Sequence, residues 1–315
     1  CLLFIFIKEA IMLTCSSTLD VNQTIPTLNM IALGIVILLS VGIPIYAFLV
    51  SKRQFLGRWQ LLFFGATNFL VIEFFLTNLI LFVPFLIPGF QNIPTKYPLL
   101  YSILCVLFVG AISEIGRYIT LRIGLKEYPN IGTSAMFATG TASTHALILI
   151  AWNALQSLLI CLTINQTGLQ ELVTAAGEEA EEMLTTLEPL FMVSWLTYLS
   201  SGIHVAANFV LHFSISMIFF AVIKNHAPSY LLGLAIGLRA LYELPTYLYT
   251  YGILFPSAFV AELCVIAITV LIGYIGWTIT HQYCAKDIEN LHWDPYGGTP
   301  KKQAPFPKFN ENIKK

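Results

Sequence analysis

Long apolar runs, each broken by a few polar side chains, follow one another from about residue 28 to residue 280. A helical membrane crossing needs about 20 consecutive, mostly apolar residues. Seven stretches reach that length: 28–50, 60–88, 98–121, 134–162, 203–223, 229–252 and 257–280. The pattern predicts an all-α fold, a polytopic membrane helix bundle of about seven transmembrane helices. The apolar segment 191–201 is expected either to extend the fifth span or to lie at the membrane interface. No internal repeat and no Gly/Ser-rich linker interrupts the series, so 28–280 reads as one bundle.

Composition turns this pattern into a solvent argument. The chain has 315 residues, 57% of them hydrophobic and 10% charged, with a mean hydropathy of +0.77. Soluble domains carry about 25% charged residues. Too few polar side chains are present to cover a water-facing surface, so lipid must solvate much of the molecule. The expected partners are the lipid bilayer and a membrane peptide or protein, as substrate or as binding partner, with no nucleic acid. Six cysteines form no CxxC pair, and Cys105, Cys161 and Cys264 fall in or beside apolar runs, where a thiol packs as a small apolar group.

The placement of charge orients the bundle. Lys52, Arg53 and Arg58 follow the first span, Arg122 and Lys126 the third, Lys224 the fifth and Lys286 the seventh. These places share one side if the spans alternate, and the positive-inside rule makes it the cytoplasmic side. The N-terminus is then outside and the C-terminus cytoplasmic. The loop 165–189 falls outside; it holds Glu171, Glu178, Glu179, Glu181, Glu182 and Glu188 without Lys or Arg, and its composition predicts a short solvated helix. Residues 1–27 form a separate N-terminal segment; with Cys1 first and Met12 the first methionine, the natural start is expected to lie elsewhere. Residues 281–315 read as a disordered, basic cytoplasmic tail rich in proline from Pro295 onward. Sequons begin at Asn22 and Asn165, a number expected by chance.

Against this apolar background, six charges stand inside spans: Glu73, Glu114, Arg117, Arg239, Glu243 and Glu262. Each costs about 2.5–3.5 kcal/mol at mid-bilayer on insertion scales, so they must face one another, water or the bundle interior. Glu114 and Arg117 are three apart, Thr141 and His145 four apart, and Arg239 and Glu243 four apart. His204, Asn208 and His212 repeat at four along the fifth span. Consecutive spans thus offer polar stripes to one cavity. Gly110, Gly116, Gly124 and Gly140 are expected to let spans three and four approach closely.

Two readings of these side chains stand side by side. Glu114–Arg117 and Arg239–Glu243 are ordinary helix-register ion pairs on the first. On the second, a carboxylate in a low-dielectric cavity is a stronger base than in water, and a histidine beside it orients a water or stabilises an oxyanion. Glu114, His212 and His145 are the candidate catalytic residues; Arg117, Arg239, Glu243, Asn208 and Thr141 support them. His204, at a span end, reads as interfacial, and Glu73 and Glu262 as peripheral. No cofactor is called for, although His145, His212 and Glu114 could supply three ligands to a zinc ion. HExxH, GxSxG, P-loop and GxGxxG motifs do not occur.

The run Gly110-Ala-Ile-Ser-Glu-Ile-Gly-Arg-Tyr118 resembles the Glu-Glu-x-x-Arg-Tyr signature of the YhfC family of intramembrane endopeptidases. That family is grouped with the prenyl-protein (CAAX) endopeptidases and bacteriocin-processing proteins. The γ-secretase scaffold subunit, the anterior-pharynx-defective protein, looks like a distant, non-catalytic relative. The similarity extends through 140–146, 208–224 and 235–245 and preserves the order of the spans. The resemblance implies a membrane peptidase of CAAX-protease-like type in a bacterial cytoplasmic membrane. Its departures are specific. The first glutamate of the signature is Ser113 here. The family's Gly-His-Gly-Gly-x-Glu reads Gly140-Thr-Ala-Ser-Thr-His145, which puts Thr141 at the histidine position. Its His-Ala-x-x-Asp reads Arg239-Ala-Leu-Tyr-Glu243.

The expected function is therefore an intramembrane glutamic-type endopeptidase with an altered motif set. The alternative is a catalytically inactive scaffold or partner-binding protein of the same fold. A proton-coupled transporter is the third reading, disfavoured because no repeat or broken-helix pair is apparent.

Overall fold

A computed structural model describes residues 23–177, 180–289 and 291. Among them the chain is helical with no strand. Apart from two short turns at Phe90–Asn92 and Ile93–Lys96, the helices are α1 (Thr27–Arg53), α2 (Gln60–Leu86), α3 (Pro98–Glu127), α4 (Ile131–Thr167), α5 (Leu169–Ala176), α6 (Ala180–Met192), α7 (Trp195–Lys224), α8 (Tyr230–Thr250) and α9 (Ala258–Glu289). Six of them, α1–α4, α7 and α9, are long and apolar enough to cross a membrane. The side chains they leave exposed are those lipid would solvate, among them Leu38, Phe75, Phe108, Val270 and Trp277. The chain is an integral membrane protein built as a polytopic all-α bundle. The remaining expected span, 229–252, forms the 21-residue α8, which carries Arg239 and Glu243.

α7 is the axis of the bundle, packed by α1, α3, α4, α8 and α9. Ile215, Ile218, Phe219 and Phe220 of α7 are buried against Leu231 and Ala235 of α8 and Val265 and Ile272 of α9. On its other side α7 presents Val205 to a second apolar cluster containing Val36 of α1 and Ile150 and Cys161 of α4. Helix ends are set by short-range chemistry: Asn130 caps α4 by accepting from the Thr133 N–H, and Asn225 stops α7 while its amide donates to the Tyr283 carbonyl and to Asp287 of α9.

Several expectations change. Of the four glycines expected between spans three and four, only Gly124 lies there, near Thr133 of α4; the others bring different pairs of helices together. Gly140 of α4 lies against the Leu62 backbone of α2, Gly65 of α2 lies against the Phe137 backbone of α4, and Gly110 of α3 faces Ile236 and Ala240 of α8. The fifth span starts at Trp195 rather than 203, so 195–201 of the 191–201 segment supply its first turns, while Phe191 and Met192 end α6. The acidic loop is two helices, α5 and α6, and not one solvated helix; Leu169, Leu187, Leu190 and Phe191 are buried in the cluster with α1 and α4. The seventh span continues as helix to Glu289, so 281–289 are not a disordered tail, because Asn225 ties them to α7. The expectations for the first residues of segment 1–27, for Asn22 and for the proline-rich tail lie outside the described residues. Asn165, the other sequon, exchanges hydrogen bonds with the Ile25 backbone at 2.8 and 2.9 Å.

Candidate functional site

Two helices depart from α-helical register where polar residues enter the interior. Phe69–Leu76 of α2 and Ala146–Ala151 of α4 are π-helical. At the end of the first, the Thr77 backbone N–H and hydroxyl both donate to the Ile72 carbonyl five residues back, the spacing of a π-turn. This stretch carries Glu73 and aims it at α3 and α8. The second begins directly after His145.

Arg117 organises the site. Its side chain is fully buried. Nη2 donates to Glu73 Oε1 at 3.0 Å, Nε lies 3.0 Å from Glu114 Oε2, and Nη1 donates to the His212 backbone carbonyl at 3.3 Å. Nη2 also meets His212 Nδ1. A guanidinium has no lone pair to offer, so His212 Nδ1 accepts and the imidazole proton is assigned to Nε2. Glu73 then bridges to a second cation: its Oε2 is 3.4 Å from Arg239 Nη2, which is 2.9 Å from Glu243 Oε1. Three carboxylates and two guanidiniums from α2, α3 and α8 thus form one network against α7. Such a network offsets the desolvation cost that isolated charges would incur.

Beside it lies a second group. His204 Nδ1 is 2.8 Å from Glu262 Oε1, and His204 Nε2 is 3.1 Å from the Tyr242 hydroxyl. His145 faces His204 with ring centroids 6.4 Å apart and meets Phe69 edge-to-face at 5.5 Å. Several polar atoms at these two groups are buried and have no partner among the described residues: Glu114 Oε1, His212 Nε2, His145 Nδ1, Asn208 Nδ2 and Arg239 Nε and Nη1. A buried polar atom left unpaired is costly, and ordered water or a ligand is the usual remedy. Glu114 also lines a cleft of about 60 Å³ between α3, α7 and α8, with Ile115, Tyr118, Phe219, Leu232 and Ile236.

The structure therefore brings Glu114, Arg117 and His212 into one set of contacts, with Arg239 and Glu243 linked through Glu73. His145 belongs to the second group. Thr141 takes no part: its hydroxyl lies 3.2 Å from the Gly65 and Phe137 carbonyls and fastens α4 to α2. Arg239 pairs with Glu73 and Glu243. Glu73, His204, Tyr242 and Glu262 are the residues that sequence reasoning underrated. Their signal was weak, since Glu73 depends on a π-turn and His204 on the true start of α7.

A helical membrane bundle with acid, base and guanidinium groups gathered inside it defines an integral membrane protein with a buried polar cluster. Comparison with known families supplies the particular one. The model of the YhfC intramembrane metalloprotease family matches residues 35–265, and the chain belongs to that family. It is 24% identical over 241 residues to the uncharacterized membrane protein YhfC of Bacillus subtilis (strain 168), covering 76% of this chain and 91% of that protein. No solved structure matches it significantly.

The family's description implies a metal, which the donors here must be able to hold. A zinc site takes at least three converging nitrogen, sulfur or oxygen ligands. Among the described residues no three His, Cys, Asp or Glu side chains are grouped as such a set. Glu73, Glu114 and His212 converge on Arg117, so a cation already stands where a shared ion would bind. Both ring nitrogens of His204 are engaged. The residues as arranged do not fit a metal ion.

Proposed function

We propose that this protein hydrolyses peptide bonds of membrane-associated polypeptides at a site inside the bilayer of a bacterial cytoplasmic membrane, with Glu114 as the water-activating carboxylate. One observation carries the reading: Glu114 and His212 are held on the same guanidinium, and Oε1 of one and Nε2 of the other are buried without partners among the described residues. Glu114 Oε1, the oxygen away from Arg117, is the acceptor for a water proton. That water's oxygen adds to the peptide carbonyl carbon, and the resulting oxyanion takes the hydrogen bond of His212 Nε2–H. The C–N bond then breaks as the proton passes from Glu114 to the leaving amine. Arg117 holds both groups in position, and His145, facing His204, is the second histidine available for proton transfer. The cleft lined by Glu114, about 60 Å³, exceeds the roughly 10–15 Å³ that one water needs.

The bundle is proposed to cross the membrane seven times. α8 has 21 residues and so spans roughly 31 Å at 1.5 Å per residue, close to the thickness of a hydrocarbon core. Its charges are compatible with a crossing because Arg239 pairs inward with Glu73. Seven crossings leave the N-terminus outside and the C-terminus in the cytoplasm, with Lys52, Arg53, Arg58, Arg122, Lys126 and Lys224 on the cytoplasmic side.

A second reading is favoured by the same guanidinium. Arg117 pairs with Glu73 and Glu114 at once, an arrangement that suits a silent bundle binding a membrane partner. Cleavage by purified protein decides between the two. The test compares wild type with Glu114→Gln and His212→Gln on membrane peptides in liposomes. The peptidase reading requires cleavage that both substitutions reduce.

A further inference from the structure

We infer that Arg117 replaces a metal ion in this protein, so that its intramembrane site works, or simply holds together, around an internal guanidinium and takes up no zinc. The inference goes beyond the peptidase reading and holds whether or not the protein cuts.

Its basis is the chemistry of the donor set. A zinc ion between Glu73, Glu114 and His212 would need two carboxylate oxygens and one imidazole nitrogen at about 2.0–2.2 Å from one point. In this chain the same three side chains are turned toward Arg117. Glu73 Oε1 accepts from Nη2 at 3.0 Å, Glu114 Oε2 lies 3.0 Å from Nε, and Nη2 meets His212 Nδ1. The guanidinium is entirely buried, and its Nη1 is also engaged, by the His212 carbonyl, which locks it in place. A divalent ion entering there must displace a fixed positive charge or bind within a few ångströms of it, and both are strongly unfavourable in a low-dielectric interior. Arg239 adds a second guanidinium on Glu73, so the carboxylate most exposed to competition is already shared between two cations.

The second histidine group does not restore a site. His204 would have to release Glu262 or Tyr242 to bind a metal, and Glu114, His145 and His212, the trio the sequence offered to zinc, are not grouped to hold an ion among the described residues.

The experiment uses the full chain purified in detergent without chelator. Metal content is measured by mass spectrometry, and thermal unfolding is followed with added zinc and with EDTA. The expected result is zinc at least about tenfold below one ion per chain, with a melting temperature moved by neither zinc nor EDTA, since nothing binds the native state preferentially. About one zinc per chain surviving gel filtration, or a melting temperature lowered by EDTA, overturns the inference. A second arm uses Arg117→His, which removes the cation and offers an imidazole to Glu73, Glu114 and His212. If the variant is folded, zinc should raise its melting temperature while leaving wild type unmoved; equal zinc stabilisation of both overturns the inference. If the variant does not fold, the wild-type measurements decide alone. No arm depends on cleavage, so a protein that neither cuts nor binds zinc defeats the peptidase reading and leaves this one standing.

Discussion

Arg117 on α3 reaches across to α7 and binds His212 twice, by a hydrogen bond to its backbone carbonyl and by a contact to its ring Nδ1. One side chain thereby fixes the position, rotamer and tautomer of a histidine 95 residues away. It does so with a charge that two glutamates neutralise, and the consequences are measurable.

Truncating Arg117 should damage the fold more than it would at a surface. Arg117→Ala leaves Glu73 and Glu114 buried beside one fewer cation, and breaking a buried pair costs about 3–5 kcal/mol. Arg117→Lys should recover little, because a point charge cannot reproduce a fork that meets two carboxylates, a carbonyl and an imidazole. Thermal unfolding in detergent checks both; a lysine variant as stable as wild type would contradict the geometry.

Glu73 should matter more than Glu243. Glu73 bridges Arg117 and Arg239 and is nearly inaccessible, whereas the Glu243 side chain is 23% exposed. Glu73→Gln is expected to lower the melting temperature clearly, and Glu243→Gln by less than half as much. Parallel melting curves check the order, which reverses if Glu73 is peripheral.

This ranking shows what was legible in the sequence. The length and apolarity of the spans announced the bundle, and the Ser-Glu-Ile-Gly-Arg-Tyr run announced the family, because both are local in the chain. Glu114, Arg117 and His212 were legible for the same reason: each stands out against its own apolar span. Glu73 was not, since a π-helical turn, invisible to a 3.6-residue period, points it inward. His204 was hidden by hydropathy, which starts the fifth span at 203 although α7 begins at Trp195 and carries the imidazole well inside. The glycines announced close approach but not between which helices. That depends on tertiary packing, which no spacing encodes.

Gly140 and Gly65 should be intolerant of size. Each sits where α2 and α4 backbones touch, so an added side chain must push the helices apart. Gly140→Val is expected to cost at least the roughly 1–3 kcal/mol of a tightly overpacked site. Gly237, which has open space around it, should accept valine with a smaller change. Size-exclusion profiles and melting curves compare them; equal behaviour would refute the close contact.

His204 and Glu262 should behave as a coupled pair. Their 2.8 Å contact joins α7 to α9, and a double-mutant cycle of His204→Ala and Glu262→Ala should give a coupling of about 1 kcal/mol. Additive effects would show that the pair does not form in the membrane-embedded protein.

Topology has its own test. A membrane-impermeant thiol reagent applied to intact cells should label Glu171→Cys on α5 and spare Lys126→Cys at the end of α3, with the unsubstituted chain as the background control. The opposite pattern would invert the bundle.

The central claim is that Glu114 activates water for peptide hydrolysis, and the most direct measurement is cleavage of a transmembrane-peptide library by the purified protein in liposomes, read by mass spectrometry beside Glu114→Gln. The account predicts defined cleavage products from wild type and a loss of about 100-fold or more in Glu114→Gln, with the variant still eluting as a folded species. Equal cleavage by both, or no cleavage by a demonstrably folded wild type, would contradict it.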